Sequence, residues 1–76
     1  MSIPSLVTYL VRSIVDSPDA VSVKQTNEEG QTVLTVHVAP GDVGKVIGRQ
    51  GRTIRSLRQV VAAAADNDYR LEVDEG

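Results

Sequence analysis

The sequence has no cysteine. That removes disulfide staples and thiolate metal sites and suits a reducing compartment, so a cytoplasmic location is expected. Phenylalanine and tryptophan are also missing, leaving Tyr9 and Tyr69 as the only aromatic side chains besides His37. His37 itself lies in a β-branched run, with no second ligand at metal spacing and no nucleophile beside it. An ordinary strand residue is expected there, and no metal or cofactor. No cationic leader opens the chain, and Thr8, Tyr9, Arg12 and Ser13 interrupt its first apolar stretch. Neither a signal peptide nor a membrane span is expected.

Excess positive charge is lacking too, since the formal net charge is −2. The distribution matters more than the total. Residues 43–61 contain no acid and five of the eight cations, against three cations and ten acids elsewhere. At physiological salt the screening length is about 8 Å, so a bound polyanion would feel this patch before it felt the whole.

At 76 residues, one small domain spanning residues 1–76 is expected. A chain of this size buries only about 60% of its unfolded surface, which leaves a thin core and makes self-association advantageous. Ile3, Leu6, Val7, Leu10, Val11, Ile14 and Val15 recur at three- and four-residue steps, predicting a core-covering helix over residues 3–16. Val21 and Val23, a turn at Asn27-Glu28-Glu29-Gly30, and the run Thr32–Val38 predict a β-hairpin, with Leu34, Val36 and Val38 facing the helices. Pro40-Gly41-Asp42 breaks the strand and offers Asp42 as an N-cap. A short helix with Val43, Val46 and Ile47 on one side follows. A longer one over residues 52–65 comes next, with Ile54, Leu57, Val60, Val61 and Ala64 as its buried stripe. Asp66-Asn67-Asp68 stops it, and Tyr69, Leu71 and Val73 alternate as a last strand. The order αββααβ predicts an α+β two-layer sandwich, three helices on a three-stranded mixed sheet. The tight connection makes the first two strands antiparallel, and the helical crossover allows the third to run parallel to the second.

Between the last two helices lies Val46-Ile47-Gly48-Arg49-Gln50-Gly51-Arg52-Thr53-Ile54. Gly48 and Gly51 permit a sharp bend free of side chains. The helix after Gly51 starts with unpaired amides at the positive end of its dipole. With Lys45, Arg49, Arg52 and Arg55 around it, this bend is a candidate seat for the phosphates of a single-stranded nucleic acid. Catalysis finds no support. A phosphate-binding P-loop needs Gly-x-x-x-x-Gly-Lys-Ser/Thr, but Ala39 stands at the leading position and Val46 follows Lys45. The glycines at 41, 44, 48 and 51 do not fit Gly-x-Gly-x-x-Gly, and no Ser-His-Asp set is suggested.

Two aliphatics, Gly-x-x-Gly and a further aliphatic, set between two helices after a β-hairpin, resemble the KH domain. The element order resembles its type II form, and nearly the whole chain resembles the small single-domain bacterial KH proteins of the KhpA type. Ile54 is a modest departure from the resemblance, which implies Ala at that position; it changes packing volume more than chemistry. The resemblance implies a non-catalytic domain holding about four unpaired nucleotides. Gly48, Arg49, Gln50 and Gly51 would clamp the backbone, and Lys45, Arg52 and Arg55 would add charge. Val43, Val46, Ile47, Ile54 and parts of the second strand would form the floor under the bases. It also implies an RNA chaperone or post-transcriptional regulator that forms a homodimer or pairs with a larger KH-containing protein. RRM and OB modules, which stack bases on exposed aromatics, are poorly supplied by two tyrosines. RNA binding and a protein-interaction role with RNA secondary are both open on the sequence, as is RNA against single-stranded DNA. No membrane or small-molecule partner is expected.

Overall fold

The computed structural model describes residues 2–65 and 68–75. Its elements follow the expected order, with the helices packed on one face of a three-stranded sheet. Helix α1, Ile3–Arg12, begins where the Ser2 hydroxyl accepts from the Ser5 amide and Pro4 occupies the first turn. Val7 and Val11 are its fully buried residues.

The helix is four residues shorter than its apolar pattern. Ser13 and Ile14 turn away, and Ile14 is exposed rather than part of the buried stripe. The segment is held from far along the chain. The Asp42 carboxylate, on a residue only 3% exposed, accepts from the Asp16 amide at 3.2 Å and the Ser17 amide at 3.0 Å. Asp42 therefore makes no side-chain cap on the helix that follows it. A local capping rule has given way to two amides, stranded past the end of α1, that need an acceptor. Asp42→Ala should cost about 1–3 kcal/mol in denaturant unfolding, the usual loss when a buried bond to a charged acceptor is removed. Asp42→Asn, which keeps an acceptor oxygen, should cost less.

Strands β1, Ser22–Glu28, and β2, Gln31–His37, pair antiparallel with Glu28 opposite Gln31. Only Glu29 and Gly30 remain in the turn, both at positive φ (54° and 81°), the backbone that a two-residue hairpin demands. Asn27 and Glu28 thus extend β1 instead of turning, and Val38 lies just past β2. Strand β3, Tyr69–Val73, runs parallel to β2 with Leu71 beside Leu34, and β2 is central. Leu34, Val36 and Leu71 meet Val7, Val11 and the later helices in one core. Val33 points to the opposite face, yet is buried between its cross-strand neighbours Thr26 and Arg70. Arg70 is held there by Glu28 at 3.8 Å and Glu72 at 3.0 Å. His37 Nδ1 lies 2.9 Å from an Asp74 carboxylate oxygen, a strand-end pair.

Helix α2 is Val43–Ile47 and helix α3 is Arg52–Ala64. The buried stripe of α3 is Ile54, Leu57 and Val61. Val60, expected to be buried, is 40% exposed, because adjacent helical residues are turned about 100° apart and Val61 already faces the sheet. Ala64, in the last turn, is exposed too. Of the residues predicted to stop the helix, Asp66 and Asn67 lie outside the described ones.

Candidate nucleic-acid interface

The link from α2 to α3 is built by three left-handed backbones. Gly48 takes φ 77° and ψ 171°, a combination essentially confined to glycine, and its amide donates back to the Gly44 carbonyl at 2.8 Å. Gln50 (φ 55°, ψ 28°) and Gly51 (φ 73°, ψ 19°) then swing the chain outward and back into α3. The Gly51 amide donates to the Gly48 carbonyl at 3.1 Å and the Arg52 amide to the Arg49 carbonyl. Arg49 and Gln50 form the exposed tip, and their amides donate to no other described residue. A left-handed Gln is uncommon and needs support. Arg55 supplies it, since its guanidinium donates to the Gln50 carbonyl.

The cations consequently divide. Arg49 and Arg52 are exposed beside the tip, while Arg55 braces the loop from behind. Lys45 is turned toward the end of α1, with Nζ 2.9 Å from the Asp16 carboxylate. The hydrogen bond and charge of Asp16 raise the Lys45 pKa from its usual 10.5. A raised folded-state pKa means that this pair is fully formed below the ordinary lysine range. On the lysine side it is lost as pH climbs past the folded-state value, far above neutrality.

Beside the loop, Ile47, Ile54, Arg58, Glu72, Val73 and Glu75 line an open cleft of about 410 Å³. Its apolar floor comes from α2, α3 and β3. Val46 does not reach it, because that residue has no exposed surface and lies in the core beneath. Val43 borders a separate, smaller hollow with Pro40 and His37. The second strand contributes nothing to the floor, contrary to expectation. It is central, its helix-facing Leu34 and Val36 are fully buried, and the wall falls to the edge strand β3. Among the described residues, no group of three His, Cys, Asp or Glu side chains could hold a metal ion, and no helix is long and apolar enough to cross a membrane.

The family described as "KhpA/KhpB, KH domain" matches residues 4–74. The chain belongs to this KH family. It is 52% identical to the "RNA-binding protein KhpA" of Mycobacterium tuberculosis, over 88% of this chain and 84% of the relative. It is 49% identical to the protein of that name from Streptomyces coelicolor, over 86% and 82%. A third, from Leifsonia xyli, is 47% identical over 97% and 95%. No solved structure matches the chain.

Within this KH domain, Gly48, Arg49, Gln50, Gly51, Arg52, Ile47 and Ile54 come together around the loop and cleft. Arg55 is bonded to the loop's own Gln50 carbonyl, whereas Lys45 pairs with Asp16 and Val46 lies in the core. Sequence reasoning missed Arg58, Val73 and Glu75. For Arg58 a signal existed, because it follows Ile54 by four residues and so shares its side of α3. Its Nε donates to the Leu71 carbonyl at 3.3 Å, joining the helix to the free edge of β3.

Proposed function

We propose that this KH domain binds unpaired RNA without catalysis, laying about four nucleotides across the loop and the adjoining cleft. The sugar-phosphate backbone would rest on Gly48-Arg49-Gln50-Gly51, with Arg49 and Arg52 supplying charge and the bases lying over Ile47, Ile54 and Val73. One observation carries the reading: the Arg49–Gln50 tip is exposed, and its amides donate to no other described residue. Such amides are natural partners for phosphate oxygens. The relatives' name, RNA-binding protein, supports RNA as the ligand.

Binding should weaken as salt rises. With Arg49 and Arg52 each meeting a phosphate, the slope of log affinity on log salt should be about −1.4, at roughly −0.7 per phosphate for single strands. A flat response would instead favour a protein-interaction domain. We further infer a cytoplasmic RNA chaperone or post-transcriptional regulator that acts as a homodimer or beside a larger KH-containing protein, as the paired family description suggests. Two small surfaces joined in one assembly gain affinity from effective concentration. Light scattering on the purified chain measures the mass directly, and a monomeric mass would remove the homodimer.

A further inference from the structure

The seam between α3 and β3 does not end at Arg58. Beyond that side chain it opens into a second cleft of about 270 Å³, lined by Arg58, Val61, Ala62, Tyr69, Arg70 and Leu71. Arg58 borders both clefts, and its bond to the Leu71 carbonyl makes the partition a single side chain rather than backbone. The two clefts differ in chemistry. The first offers aliphatic side chains, whereas the second offers the half-buried ring of Tyr69. Arg70 is already paired with Glu28 and Glu72 on the far face of the sheet, so the cation serving the second cleft is Arg58. On the helix side Ala62 is small and exposed.

An aromatic ring and a guanidinium plane are the groups on which unpaired bases stack. Continuity with the first cleft favours a nucleobase over any other apolar occupant. We propose that the Tyr69 cleft takes one further unpaired base, beyond the nucleotides over Ile47 and Ile54, with Arg58 between the two sites. The proposal rests on the RNA-binding reading above.

The chain has no Trp and only two Tyr residues, so in a Tyr9→Phe protein Tyr69 is the only source of tyrosine emission. Unstructured oligonucleotides of four and seven residues, matched for absorbance, should then differ. The longer strand should quench Tyr69 and the shorter should not. Tyr69→Leu should weaken the seven-residue strand by about tenfold, the loss expected for one stacked base, and leave the four-residue strand unchanged. Equal emission with both strands, or an equal effect of Tyr69→Leu on both, overturns the proposal and leaves Tyr69 as a packing residue. If the parent protein binds neither strand, the RNA-binding reading fails and the proposal with it. Should Tyr69→Leu not fold, the emission of the Tyr9→Phe protein decides alone.

Discussion

Changing Arg49 and Gln50 together to Asp should abolish binding of unstructured RNA while the protein stays folded. Hydrogen bonds to charged groups contribute about 1.5–3 kcal/mol each. Losing the Arg49 contact and setting two carboxylates against phosphate should therefore lower affinity by at least about 100-fold, at 1.4 kcal/mol per factor of ten. The fold has little reason to respond. Both side chains are exposed, and the bonds from Arg52 and Arg55 that brace the tip use the main-chain carbonyls of Arg49 and Gln50, which the substitution keeps. Asp also tolerates a left-handed backbone better than Gln does. An anisotropy titration with a labelled strand measures the first effect, and the unfolding midpoint, expected within about 0.5 kcal/mol of the parent, measures the second. Unchanged affinity would mean that RNA is held elsewhere.

Gly48→Ala should instead damage the fold. A Cβ built at Gly48 would lie 2.8 Å from both the Cβ and the amide nitrogen of Thr53, and nearer still to the Thr53 hydroxyl. Rotating the Thr53 side chain moves the hydroxyl, but the amide belongs to the backbone of α3 and cannot yield. The backbone itself resists as well, with φ at 77° and ψ at 171°. Strain at such a residue costs about 1–3 kcal/mol, and forcing an extra methyl into a packed site about 1–3 more. The sum, about 2–6 kcal/mol, is a large share of a stability near 0.05–0.15 kcal/mol per residue. The control is Gly44→Ala, where a new Cβ meets nothing within 4 Å. There, in α2, Ala should be neutral or stabilising by up to about 1 kcal/mol. Urea unfolding of the two variants should diverge in sign or nearly so, and similar losses in both would show that the contact with Thr53 is not what confines Gly48.

Ile54, Leu57 and Val61 of the α3 stripe and the Gly-x-x-Gly bend are legible because each follows from a local period or a local exclusion. The same period also draws in Val60 and Ala64, which are exposed. The reading faltered wherever the deciding partner lay far along the chain. Nothing near Asp42 announces that two amides beyond α1 need its carboxylate, so it read as a cap. Lys45 read as a phosphate ligand because the basic run is visible and Asp16, its partner across the fold, is not. The bond from Arg55 to the Gln50 carbonyl has no signal in the sequence, since Gln50 carries no left-handed signature of the kind Gly or Asn would provide. The floor of the cleft was misassigned to β2 because element order does not say which strand is central. Only the parallel pairing of β3 at the edge settles that.

That edge position has a consequence for timing. Thr32 pairs with Tyr69 and Val36 with Val73, contacts between distant parts of the chain whose loop-closure entropy must be met before they stabilise the fold. The cleft's outer wall exists only where these long-range pairings have formed, whereas the glycine bend and its arginines are close neighbours in sequence. A basic tail can capture RNA while disordered, but the proposed surface is available only to the completed fold.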